Sequence, residues 1–172
     1  MLIQFSVENY RSILGRQTLS MAASNYFKEL ELLNSFDVGG VESVPRLLRS
    51  SVIYGPNASG KSTLVNALDF MRDCVINSAK ESQANEEIPV EPFKLTATAR
   101  ASDSEFEVAF IEENVRYQYG FRCNKQRVTE EWLFAYPEGR AQKWFQRIFD
   151  PMSSKDEYRF SVTFLGGRKR QG

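Results

Sequence analysis

The chain has 172 residues, 42% hydrophobic and 13% aromatic, enough for one sizeable core, and no run approaches the ~20 apolar residues that span a bilayer. Lys plus Arg and Asp plus Glu number 22 each, so no global field draws in nucleic acid or membrane, and any such contact must be local. Histidine is absent, which excludes histidine general bases, zinc sites built on histidine and Ser-His-Asp chemistry.

The first element in chain order is a strand over Leu2-Ile3-Gln4-Phe5-Ser6-Val7, and Gln17-Thr18-Leu19-Ser20-Met21 reads as a second. Residues 22–50 read as a loop-rich excursion with one short helix, because Asn34, Gly39, Gly40 and Pro45 interrupt any longer element. The apolar run Ser51-Val52-Ile53-Tyr54 predicts a strand. Leu64, Ala67, Leu68, Met71 and Val75 then share one face of a helix expected over about 61–79, and the polar stretch from Lys80 to Glu87 is a surface loop.

From residue 91 onward the period changes to two. Val115, Tyr117, Tyr119 and Phe121 alternate with Arg116, Gln118, Gly120 and Arg122, and Trp132, Phe134 and Tyr136 form a similar row. Strands are expected near 93–98, 104–111, 115–123, 127–136, 142–149 and 157–164, with turns at Glu113-Asn114, Asn124-Lys125, Pro137-Glu138-Gly139 and Pro151 to Lys155. The expected organisation is one domain, with nucleotide-binding strands, loop and helix in 1–80 and an antiparallel β-meander in 81–172. Cys74 and Cys123 lie in apolar patterns without metal-ligand spacing, so reduced thiols are expected. The N-terminus lacks a signal peptide's charged and apolar regions, and a cytoplasmic protein with no membrane partner follows.

Residues 55–63, Gly-Pro-Asn-Ala-Ser-Gly-Lys-Ser-Thr, match the phosphate-loop pattern G-x-x-x-x-G-K-[ST]. A chance match in a chain of this length has a probability of roughly 0.5 per cent, and the order strand, loop, helix is the one the motif requires. In such a loop successive backbone N–H groups turn inward around phosphate, and the helix N-terminus favours an anion. The candidate nucleotide-binding residues are Gly55, Pro56, Asn57, Ala58, Ser59, Gly60, Lys61, Ser62 and Thr63. Lys61 would neutralise phosphate oxygens, and the Ser62 hydroxyl would join the ligand shell of a Mg²⁺ ion.

Taken together, Asn9-Tyr10-Arg11-Ser12 after the first strand and Gly55-Pro56-Asn57-Ala58-Ser59-Gly60-Lys61-Ser62-Thr63 resemble the ABC-type ATPase heads of the SMC and RecF class. More closely, they resemble bacterial AAA-family ATPases related to OLD proteins and to ATPase subunits of phage-defence and restriction-linked systems. The resemblance extends through Glu91-Pro92-Phe93 and Glu130-Glu131-Trp132-Leu133-Phe134. It implies an α/β P-loop NTPase fold, an ABC/SMC-type head lobe whose meander is the side sheet, and ATP with Mg as ligands. It also implies that Arg11 and its neighbours lie beside the nucleotide; from the residues alone, Arg11 reads as a solvated loop cation. Ala58 stands where SMC heads usually carry glycine.

Two further parts of such a head lack a convincing counterpart. Val108-Ala109-Phe110-Ile111-Glu112-Glu113 superficially fits the carboxylate motif that holds Mg²⁺, but a hairpin turn explains Glu112 and Glu113 more simply. Leu165-Gly166-Gly167-Arg168-Lys169-Arg170-Gln171 echoes the signature loop without its serine, and its basic cluster could touch nucleic acid or simply be solvated. The chain is therefore expected to be the N-terminal lobe of a longer ATPase, truncated before the carboxylate and signature motifs. Such a lobe binds ATP without hydrolysing it efficiently. Its expected partners are the C-terminal half of the head, a second copy through the head, and a nuclease or toxin effector. The alternative is a non-enzymatic nucleotide-binding or interaction module whose working surface is the sheet bearing Trp132, Trp144 and the tyrosines.

Overall fold

The computed structural model describes residues 1–24, 26, 31–39, 46–77, 87–137 and 139–161. Its elements in chain order are β1 (Leu2–Glu8), β2 (Gln17–Ser20), α1 (Glu31–Asn34), β3 (Ser35–Asp37), β4 (Arg46–Leu48), α2 (Lys61–Asn77), α3 (Ala97–Ala101), β5 (Ser104–Glu112), β6 (Val115–Cys123), β7 (Val128–Tyr136), β8 (Gln142–Asp150) and β9 (Lys155–Phe160). Seven strands form one sheet in the order β2-β1-β5-β6-β7-β8-β9, and every pair in it is antiparallel. The N-terminal hairpin is thus joined edge-on to the meander through β1 and β5. Local chemistry sets the tightest turn. Glu113 and Asn114 have φ of 48° and 60°, the two left-handed residues of a type I′ hairpin, and they hold Glu112 opposite Val115.

The sheet has two different faces because its strands alternate. Phe5, Val7, Phe106 and Phe121 bury themselves on one face, where α2 covers them with Ala67, Met71, Leu64, Leu68, Phe70 and Cys74. Cys74 packs against the core, whereas Val75, expected on the inward face, is about half exposed. Phe70 meets Tyr10 and Phe106 at ring-centroid distances of 5.6 and 4.9 Å, so the helix is docked by aromatic contact as well as by area. On the other face Ile3, Ala109 and Ile111 form a second cluster with Val38 and Leu47, beneath the β3–β4 ribbon.

Away from that ribbon the second face is polar and internally paired. Arg16 binds Glu105 and Glu107, Arg122 binds Glu105 at 2.8 Å and Glu130 at 3.1 Å, and Gln118 donates to Glu107. Trp132 lies in this network, buried, with Nε1 donating to Glu107 at 3.1 Å. Glu107 is itself buried, and the hydrogen bonds from Arg16, Gln118 and Trp132 offset its loss of water.

Two expected strands do not form. Ser51-Val52-Ile53-Tyr54 joins neither sheet, and Val52 and Tyr54 are 80% and 90% exposed. A strand needs a neighbour for its N–H and C=O groups, and no described strand lies alongside this run. At 93–98 the apparent alternation is broken by a helix start. Thr96 adopts an extended conformation and its hydroxyl accepts from Ala99 N at 3.3 Å, capping α3, whose alanines favour helix. The 22–50 excursion contains the short helix α1, as expected, together with the unforeseen β3–β4 ribbon. Residues 162–164 of the last expected strand, 78–79 of the helix and 80–86 of the polar loop lie outside the described residues.

Candidate functional site

The loop at 55–63 reaches the helix N-terminus that its sequence requires. Gly60 has φ of +90°, a conformation glycine adopts without strain, and α2 starts at the next residue, with Leu64 N donating to Gly60 O at 3.1 Å. Ala58 sits at φ +63°, so it holds a left-handed conformation with a methyl group present. Residues 51–59 are exposed throughout, as is Ser62 in the first turn of α2. The Lys61 side chain folds back over the loop, and its ammonium donates to Gly55 O at 2.9 Å and Pro56 O at 2.7 Å. A single flexible cation therefore bridges the two ends of the loop.

The segment 9–13 forms a tight turn beside that helix start. Tyr10 and Ile13 exchange backbone hydrogen bonds of 2.9 and 2.8 Å, and Asn9 N donates to Leu14 O at 3.0 Å. Asn9 and Arg11 both have positive φ, 52° and 49°, and asparagine tolerates this better than most residues. The Asn9 side chain is buried and saturated. Its Nδ2 lies 2.8, 2.9 and 3.1 Å from the carbonyls of Ala99, Ser102 and Asp103, and its Oδ1 accepts from Phe93 N at 3.0 Å. One side chain thus ties the turn to the end of α3, the start of β5 and the 91–93 segment.

Of the neighbours of Asn9, Tyr10 points into the core, where burial pushes its phenol above the ordinary range. Ser12 points the other way, and its Oγ lies 2.8 Å from Thr63 Oγ1. The structure therefore brings Ser12 to the helical end of the loop. Arg11 is held to one side: its N–H donates to Glu91 O at 2.7 Å, and its guanidinium lies 3.3 Å from Glu91 Oε1 and 5.3 Å from the Tyr10 ring centre. Lys94 also binds Glu91, at 2.8 Å. The Lys94 hydrogen bond and charge, and then the charge of Arg11, hold the Glu91 carboxyl below the usual carboxylate range.

The contacts of Asn9 and Ser12 were not foreseen from the sequence, although the resemblance set them with Arg11 near the nucleotide. Asparagine followed by an exposed serine after a strand is a turn signal, but partners some 50 and 90 positions away are not encoded locally. Glu112 and Glu113 lie at the β5–β6 hairpin, with both residues exposed and away from any three-residue metal-ligating cluster among the described residues. The stretch 165–171 lies outside the described residues. Burial pushes the Cys74 thiol up to about 11 and raises that of Cys123 as well, which leaves both as unreactive packing groups. No described helix is long and apolar enough to cross a membrane.

Comparison with known proteins matches residues 50–167 to the model of a family described as "AAA domain, putative AbiEii toxin, Type IV TA system". A segment of 45 residues, 26% of the chain, is 44% identical to the chromosome partition protein Smc of a Synechococcus species. That segment spans 4% of the Smc protein's own length.

Proposed function

Since the chain belongs to this family of AAA domains, an α/β P-loop NTPase family, we propose that residues 55–63 bind the phosphates of ATP together with Mg²⁺. The observation that carries this reading is the loop-to-helix junction itself. The helix N-terminus, the left-handed Gly60 and the Lys61 ammonium converge on one short segment in which residues 55–59 and Ser62 are exposed. Lys61 leaves the Gly55 and Pro56 carbonyls, or shares itself with them, to meet the β and γ oxygens. The donor set fits a magnesium ion: Ser62 offers one exposed hydroxyl, and Mg²⁺ accepts most of its shell from phosphate and water. Bound with ATP, the ion supplies charge neutralisation between the phosphates.

The finer assignment is an ABC/SMC-type head lobe of the SMC, RecF and OLD kind, working as the nucleotide-sensing part of an anti-phage defence or DNA-processing system. It is supported by the surface beside the loop. Val52 and Tyr54 lie open just before the loop, and Val65, Val75 and Ile76 along α2 are about half exposed. The open apolar run at 51–54 suits further strands of a head paired alongside it, and then a second copy across the nucleotide. A nuclease or toxin effector would be the downstream partner. With the catalytic carboxylates supplied from elsewhere, this chain holds ATP without turning it over efficiently. The alternative reading, an interaction module, draws support from Tyr158 and Phe160, which are about half exposed on the edge strand, with Phe160 5.4 Å from the Phe145 ring. Trp132 gives it none, being buried.

Equilibrium binding of a fluorescent ATP analogue tests the central claim. Mg²⁺-dependent binding is expected, weakened at least about tenfold by Lys61→Ala, as loss of a charged contact of roughly 1.5–3 kcal/mol requires. Binding that ignores Lys61 would remove the phosphate-loop assignment. Robust steady-state turnover by this chain, abolished by Lys61→Ala, would instead overturn the claim that its hydrolytic carboxylates come from elsewhere.

A further inference from the structure

We propose that Ser12 is a positioning residue for the phosphate loop, acting through Thr63; the proposal rests on the ATP-binding reading above. The two sides of the loop are fixed very differently. The run that leads into it, 51–54, joins no sheet among the described residues, so no ladder anchors that side. The side that leads out is gripped by the 9–13 turn at two points on α2. Ser12 Oγ meets Thr63 Oγ1 at 2.8 Å in the first helical turn, and Tyr10 meets Phe70 at 5.6 Å about 10 Å further along the axis. The core packing of α2 on the sheet fixes its middle, and the Ser12–Thr63 contact adds a tie at the end next to the loop.

The turn can serve as a fixed support because it is itself over-determined. Asn9 holds it through four side-chain hydrogen bonds to three separate segments, and Arg11 N–H adds a fifth tie, to Glu91 O. Ser12 therefore presents its hydroxyl from a rigid base. Thr63 is stiff at χ1, and a hydrogen bond to its hydroxyl selects one of its rotamers. That selection orients the first turn of α2, which carries Lys61 and Ser62 and hence the phosphate and magnesium contacts. A displacement of about 1 Å there would move Lys61 and Ser62 out of reach of their proposed contacts.

The test is a double-mutant cycle in nucleotide affinity on the whole chain, with Ser12→Ala, Thr63→Val and the double variant, and with Lys61→Ala as the control. Melting of each variant without nucleotide is measured alongside. Ser12→Ala is expected to weaken Mg·ATP binding about threefold to tenfold, the range for one lost hydrogen bond. The double variant should bind no worse than the weaker single variant, and Ser12→Thr should restore affinity. All of this is expected with the melting temperature nearly unchanged, since the hydrogen bond is exposed. Affinity of Ser12→Ala within twofold of the parent, or additive losses in the double variant, would overturn the proposal while leaving Lys61-dependent binding in place. Binding indifferent to Lys61 would overturn both readings together.

Discussion

The meander and the 55–63 loop show how one chain builds a rigid part and an open part. In the meander, interior strands are laddered on both sides, and both faces are closed, by α2 and aromatic packing on one and by the ribbon and ion pairs on the other. In the loop, residues 51–59 are exposed, and the ammonium of a single lysine spans the opening. The difference teaches where each function sits. Stability is concentrated in the sheet, and the proposed binding groups hang from it through the 9–13 turn, which continues β1 through the Tyr10–Ile13 bridge and reaches α2 through Ser12 and Tyr10. If this division holds, damage to the buried side chains of the turn or to the sheet should be severe for folding, and damage at the exposed Ser12 or within the loop should be mild for folding and specific for ligand.

The largest effect is expected at the turn. Asn9→Asp keeps the size and the left-handed tolerance of asparagine, yet it replaces an amide donor with a carboxylate facing the carbonyls of Ala99, Ser102 and Asp103 in a buried site. A buried group turned against three acceptors should lower stability by about 3 kcal/mol or more. Urea unfolding would read this as a fall in midpoint at unchanged slope. A loss below about 1 kcal/mol would mean that the turn is held by its backbone alone, and the contrast between rigid support and open loop would weaken.

Within the sheet itself, Gly120 tests how tightly the polar face is closed. It pairs with Trp132 across β6 and β7, and a methyl group there would lie 2.5 Å from the indole and 2.8 Å from the Phe106 carbonyl oxygen. The backbone oxygen cannot swing aside, and the indole is tied to Glu107. Gly120→Ala should therefore cost about 2 kcal/mol through overpacking, and Trp132 fluorescence should report the displaced ring. An alanine accommodated at no measurable cost would show that the indole is free to move.

The same division decides what could be read from the sequence. The meander was legible because alternation and turn residues are local: Glu113-Asn114 names its own hairpin, and β5 to β8 fall within a residue or so of the expected bounds. The loop was legible for the same reason, since nine consecutive residues carry the whole pattern. What stayed hidden is what depends on distant partners. Val52-Ile53-Tyr54 has the apolar content of a strand, but strand formation is decided by a neighbour the run does not contain. Thr96 could equally continue an alternating run or cap a helix, and the C-terminal end of that helix is held by Asn9, 90 positions from Ala99. The pairing of Arg11 with Glu91, 80 positions away, is likewise not encoded in the residues around it.

The smallest effect, and the one that inverts a sheet result, is expected at Ala58. Gly120 and Ala58 differ by one methyl group, but the sheet has no space for it and the loop has space without conformational comfort. At φ +63° an alanine carries roughly 1–2 kcal/mol of steric cost that glycine avoids. Glycine also adds freedom to the unfolded chain, which offsets about 0.5–1 kcal/mol of that relief. Ala58→Gly should therefore stabilise the chain slightly, by about 0.5 kcal/mol, while Gly120→Ala destabilises it. Thermal melting without nucleotide would read the sign directly, and Mg·ATP affinity measured on the same variant separates two consequences. An affinity gain would mean that the left-handed conformation is also the bound one. A loss of affinity at raised stability would mean that the methyl group keeps the loop in shape for phosphate, so that the strain at Ala58 serves binding.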